Sequence, residues 1–187
     1  MYAGLDFGTS NSALGIYNQT QPILQSPVEL TSLYKDEKFL PSTLYTLDRN
    51  NICEYVYRNL TGLAQEQYKS SRLLQIQNAI SNRRQLGYEP NETTEFFGKA
   101  AIENYIDCPE EGIFIKSPKS FLGSTGLGKN QINFFEDLVS AMMLNIKHTA
   151  EKQTNQPISN VVIGRPVNFQ GVNSEKSNQQ ANEIMTK

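Results

Sequence analysis

The chain has 187 residues with 17 basic and 19 acidic side chains and a formal net charge of −2, enough for one substantial core and short for two independent ones. Hydrophobic residues make up 38%, aromatic residues 10% and charged residues 19%, which excludes a disordered or strongly charged polymer and describes a soluble globular protein. The near balance of charge offers no footprint for a phosphodiester backbone, so no nucleic-acid partner is expected.

The longest apolar run is the four residues Ala141–Leu144, against the roughly 18 to 20 needed to cross a bilayer, and Asp6 interrupts any signal-peptide core. We therefore expect no membrane association and a cytoplasmic location. Cys53 and Cys108 are the only cysteines and His148 the only histidine, which excludes a disulfide scaffold and zinc sites built on Cys and His spacing. Both thiols read as small buried hydrophobes. Without a Gly-x-Ser-x-Gly elbow, Ser/His hydrolase chemistry has no footing either.

In chain order, Tyr2–Phe7, Ala13–Tyr17 and Pro22–Leu24 read as strands of an antiparallel meander, with turns at Gly8–Asn11 and Asn18–Gln21. Strands are expected at Ser42–Leu47 and Ile52–Val56, then a helix with Leu73, Ile76 and Ile80 on one face. Asn82–Thr94, with Gly87, Pro90 and few apolar residues, reads as a mobile loop. The strongest helix carries Ile132, Phe135, Val139, Met142 and Ile146 in one stripe, with Asn130 as its cap, and is expected to pack on a sheet. Asn160–Gly164 reads as a strand buried on both faces, as in parallel sheets. Ser174–Lys187 opens like a capped helix and reaches Lys187 without a Gly or Pro stop, from which we expect the chain to be cut inside a larger fold.

Three glycine motifs compete for a functional reading. Asp6-Phe7-Gly8 spells a kinase metal triplet, but only five residues precede it, leaving no room for the upstream kinase elements. Gly123 to Asn130 approaches a P-loop, yet Asn130 replaces the hydroxyl that would hold magnesium and no hydrophobic strand abuts Gly123. The third, Leu5 to Ser12, sits between two strands. A tight hairpin at Gly8 lets backbone N–H groups approach a polyphosphate, the Thr9 and Ser10 hydroxyls and the Asn11 amide add donors, and Asp6 can hold the hydration shell of Mg²⁺.

This motif resembles the first phosphate segment of the actin-like ATPase superfamily, which includes DnaK-type heat-shock chaperones, actins and sugar kinases. Other segments are similar in order: Leu40-Pro41-Ser42-Thr43 to the Thr-Pro-Ser segment of DnaK-type proteins, Phe97 to Ala101 to their Ile-Gly-x-Ala-Ala, Lys119 to Gly123 to their Lys-Arg-Leu-Ile-Gly, and Val161 to Phe169 to the strand ending in Val-Pro-Ala-Tyr-Phe. The phrases Ile115 to Gly123 and Gly164 to Gly171 resemble YegD-type chaperone-related proteins most closely. The likeness covers most of the chain and is weakest over Tyr57 to Thr94.

The resemblance implies an α/β fold, the ribonuclease-H-like first lobe of an actin-like ATPase, with residues 1–27 and 116–187 as its core and 28–115 as an inserted subdomain. It implies that the second lobe, with the adenine site and a second phosphate motif, lies outside the chain, which alone would be inactive. ATP or ADP with Mg²⁺ would be the cofactors, and protein clients or co-chaperones the further partners. By position, Asp6 takes hydrated Mg²⁺, Gly8, Thr9, Ser10 and Asn11 take the β- and γ-phosphates, and Lys119 is the catalytic lysine, with Lys116 its rival. Pro166 matches a proline that relays nucleotide state between lobes, but its usual arginine partner has no counterpart in Gln170 to Gln180. A sugar kinase and a filament-forming bacterial actin share the hairpin and are the alternatives.

Overall fold

The computed structural model describes residues 1–17, 38–124, 126–164 and 174–186. The expected strand Pro22–Leu24, the turn Asn18–Gln21, Thr125 and Pro166 lie outside the described residues. The fold is α/β with two sheets.

Strands β1 (Tyr2–Phe7) and β2 (Asn11–Tyr17) pair antiparallel from Tyr2 opposite Tyr17 to Phe7 opposite Ser12. The short β3 (Leu40–Pro41) extends β2. The second sheet has β4 (Thr43–Thr46) at its centre, antiparallel to both β5 (Glu95–Phe97) and β6 (Ile113–Lys116). Strand β7 (Asn160–Gly164) returns to the first sheet parallel to β1, giving the mixed order β3-β2-β1-β7.

Period-two alternation turns Ala3, Leu5 and Phe7 to one face of β1, and helix α4 (Lys129–Thr154) lays Val139, Met142, Ile146 and Ala150 on it. Helix α5 (Ser174–Thr186) adds Ala181 and Ile184 to the same core. The neighbouring face of α4 presents Leu138 and Ala141 to Leu44 of β4 and to Ile52 and Val56 of helix α1 (Arg49–Asn59), so one long helix serves both cores. Helices α2 (Gly62–Gln85) and α3 (Lys99–Asp107) complete the second layer. No helix among the described residues is long and apolar enough to cross a membrane.

The structure corrects several expectations. Ile52–Val56 is helical: the Asp48 carboxylate accepts from the Asn50 N–H at 2.8 Å, and Ile52 and Val56, one turn apart, are both buried. A short apolar run does not distinguish the two structures by itself. The buried face of α2 is Arg72, Ile76, Ala79 and Arg83, with Leu73 48% exposed. The N-cap of α4 is Gly128, not Asn130, and the Gln131 side chain accepts from the Gly128 N–H. Strand β7 is not buried on both faces, because α4 and α5 cover only one side of the sheet among the described residues. Val162, beside Gly4 on the other side, is 78% exposed. Cys53 is buried, but Cys108 is only partly so.

The segment Asn82–Thr94 is also tied down more than its composition suggests. Helix α2 runs on to Gln85, and the buried Arg83 guanidinium donates to Thr94 Oγ1 at 2.6 Å and to the carbonyls of Glu89 and Glu92 at 2.8 and 2.7 Å. Arg83 clamps the loop that follows it.

Candidate functional site

The hairpin between β1 and β2 turns through Gly8, Thr9 and Ser10. A side chain at Gly8 would run into the Asn11 carbonyl, so the turn closes only around glycine. Thr9, Ser10 and Asn11 are exposed at its tip. Asp6 stands on the exposed face of β1, where the register sets Ala13 on one side and Gly164 on the other, so small neighbours leave its carboxylate open.

The other quoted segments meet this hairpin. Ser42, between β3 and β4, is buried; its N–H donates to the Ser10 carbonyl at 2.8 Å and its hydroxyl to the Gly8 carbonyl at 2.9 Å. The Ser42 carbonyl in turn accepts from the Ser117 N–H at 2.9 Å. Next along the chain, the Thr43 hydroxyl donates to the Gly98 carbonyl at 2.8 Å, and the Gly98 N–H to the Thr43 carbonyl at 3.1 Å. Gly98 has φ 62° and ψ −131°, a conformation that only glycine adopts easily, and a Cβ there would lie 2.5 Å from Leu40 Cδ1.

Ser117 is left-handed (φ 54°, ψ 53°) and leads into a 3₁₀ turn, Pro118–Phe121, that carries Lys119. The Lys119 ammonium donates to the Phe7 carbonyl, and its nitrogen lies 5.9 Å from the centre of the Phe7 ring. Burial pushes its pKa below the ordinary lysine value, while the nearby Asp6 charge acts in the opposite direction. Lys116, at the end of β6, is exposed. Thus Asp6, Gly8–Asn11 and Lys119 are brought to one place and Lys116 is set apart from the Phe7 carbonyl. The P-loop-like stretch at Gly123 follows a 3₁₀ turn rather than a strand.

Among the described residues no group of three or more His, Cys, Asp or Glu side chains is arranged to hold a metal ion. A lone open carboxylate such as Asp6 suits a Mg²⁺ that keeps most of its waters and arrives with a polyphosphate, not a protein cage.

Sequence reading missed a set of buried charges. Arg72, at a kink in α2, sends Nε to Asp137 Oδ1 at 3.0 Å and Nη2 to Glu136 Oε2 at 2.9 Å, and the Tyr68 hydroxyl donates to Asp137 at 2.7 Å. Burial raises the Asp137 pKa to about 6 against the pull of the guanidinium, and it raises Tyr68 as well. Arg83 pairs with Glu54 at 3.6 Å. These groups brace α2 against α4 and α1; nothing in their sequence spacing marks them. A cleft of about 770 Å³ runs between α2, α4 and β7, with Leu60, Met143, Leu144 and Val161 in its walls. It contains none of Asp6, Gly8–Asn11 or Lys119.

Comparison of the chain with models of known protein families finds no match.

Proposed function

We propose that this chain is the first, ribonuclease-H-like lobe of an actin-like ATPase of the DnaK and YegD type, and that its hairpin holds the phosphates of Mg-ATP. The observation that carries this reading is the Lys119 ammonium resting on the Phe7 carbonyl, at the root of the hairpin and within the field of Asp6. The likeness of the hairpin and four further segments to one family supports it, since Ser42 and Thr43 of the Leu40–Thr43 segment bond both the hairpin and the Phe97–Ala101 segment.

A trans peptide holds its C=O and N–H on opposite sides. With the Phe7 carbonyl engaged by Lys119 and the Gly8 carbonyl by Ser42, the N–H groups of Gly8 and Thr9 are turned away from those anchors. They join the exposed Thr9 and Ser10 hydroxyls and the Asn11 amide as donors for an anion. Asp6 would hold a Mg²⁺ through its waters, and that ion would neutralise phosphate charge. Lys119 places a positive charge at the root of the hairpin, and phosphoryl transfer to water needs charge stabilisation and little covalent chemistry.

Amide NMR titration of the 187-residue chain with Mg-ATP tests this. Resonances of Gly8 to Asn11 and of Lys119 should shift, with a dissociation constant of about 1 mM or weaker, near −4 kcal/mol, because the reading assigns the adenine pocket to another lobe. Saturable shifts elsewhere with none at the hairpin would overturn the phosphate site. Micromolar affinity would overturn the single-lobe assignment.

A further inference from the structure

We infer that Ser42 is a positioning residue of the phosphate hairpin, setting both the direction of the turn's donors and the seat of Lys119; this rests on the phosphate reading above. Ser42 uses all its polar groups on this junction. Its hydroxyl donates to the Gly8 carbonyl at 2.9 Å, its N–H to the Ser10 carbonyl at 2.8 Å, and its carbonyl accepts from Ser117 at 2.9 Å. It is 1% exposed, so water does not substitute for any of them.

The two carbonyls at the start of the turn, Phe7 and Gly8, are adjacent peptides held from outside by different segments. Lys119 holds the first and Ser42 the second. Lys119 reaches Phe7 because Ser117 bends left-handed into Pro118, and the Ser117 N–H is the group that Ser42 fixes. Ser42 therefore acts on the hairpin directly and on the lysine through the Ser117 turn.

Ser12 provides the internal control. It is as buried as Ser42, and its hydroxyl lies 3.3 Å from Ser42 Oγ. Since Ser42 gives its own proton to Gly8, the Ser12 hydroxyl donates to Ser42 and bonds neither anchored carbonyl. Ser12→Ala and Ser42→Ala each remove one buried hydroxyl from the same spot, but only the second releases Gly8.

The experiment compares the whole chain with Ser42→Ala, Ser42→Cys and Ser12→Ala. The first measurement needs no ligand: the amide resonances of Gly8 and Thr9, and the pH titration of Lys119 followed at its Cε. Ser42→Ala should move both amides and bring the Lys119 titration up toward the ordinary lysine value as the lysine gains water. Ser42→Cys, which keeps a weak S–H donor in the same space, should fall between, and Ser12→Ala should match the wild type. The second measurement titrates magnesium tripolyphosphate, expected to bind Ser42→Ala about ten-fold more weakly and Ser12→Ala within about two-fold of wild type. If Ser42→Ala leaves the amides and Lys119 unchanged, or Ser12→Ala moves them equally, the positioning role is overturned. If those signals behave as stated but no variant binds tripolyphosphate, the junction stands and the phosphate reading falls.

Discussion

The ammonium of Lys119 donates to the main-chain carbonyl of Phe7, 112 residues earlier in the chain. Gly8, the residue after Phe7, fits its turn only because it lacks a side chain, since a Cβ there would run into the Asn11 carbonyl. Gly8→Ala must push the Asn11 carbonyl away and with it the register of Phe7 opposite Ser12. We expect a loss of about 1–3 kcal/mol in urea unfolding, the usual scale of overpacking. A variant as stable as the wild type would mean the turn has room that the geometry denies.

Asp137 gives a pH signature. Burial lifts its folded-state pKa from 3.8 to about 6, with Arg72 and Tyr68 facing it from α2, Cys53 from α1 and Glu136 beside it on α4. The folded state thus holds the proton more tightly than the unfolded state. The contribution to stability is complete below about pH 4 and is lost as pH rises through about 6, by as much as about 3 kcal/mol. Asp137→Asn cannot titrate. Between about pH 4 and about pH 8 the wild type should lose more stability than this variant in urea unfolding, and equal losses would remove Asp137 as the cause.

Period-two burial in Ala3, Leu5 and Phe7 and the stripe Val139, Met142 and Ile146 are local patterns, so β1 and α4 are legible from sequence. Helix α1 is not, because Ile52–Val56 fits either structure until the Asp48 cap and the packing of Leu138 decide it. The face of α2 is hidden for another reason: it buries Arg72 and Arg83, whose partners Asp137 and Glu54 lie on other helices. At the site, Asp6 and Gly8–Asn11 are contiguous and carry their chemistry in the side chains and the glycine. Ser42 works on backbone carbonyls, which no residue name displays.

Arg83 should resist trypsin. Its side chain is 4% exposed, paired with Glu54 and bonded to four groups of the following loop, so it cannot enter a protease pocket without local unfolding. Limited digestion followed by mass spectrometry should find no early cut after Arg83. Arg83→Met leaves buried Glu54 with the 3.7 Å contact to Arg58 as its remaining ion pair and should cost about 3–5 kcal/mol, exposing Arg84 to cleavage. An early cut after Arg83 in the wild type would show that the loop is not clamped.

Lys119 and Lys116 are separated by three residues and by very different surroundings. Lys116 ends β6 in solvent, its Cα opposite Thr43, whereas Lys119 is carried by the 3₁₀ turn to the root of the hairpin. Under the proposed function, an ammonium at the hairpin acts mainly on charge that develops in the transition state, so its removal should lower turnover more than affinity. Joined to a second lobe that completes the nucleotide cleft, Lys119→Ala should lose about 10²-fold or more in single-turnover ATP hydrolysis with nucleotide binding little changed. Lys116→Ala should remain within a few-fold of wild type. In the 187-residue chain itself, amide spectra should separate the two: Lys119→Ala shifts Gly8 and Thr9 because the Phe7 carbonyl loses its donor, and Lys116→Ala does not. Loss of hydrolysis in Lys116→Ala alone would move the catalytic role three residues upstream. Full activity in both would leave a nucleotide-binding hairpin that does not use a lysine from this segment.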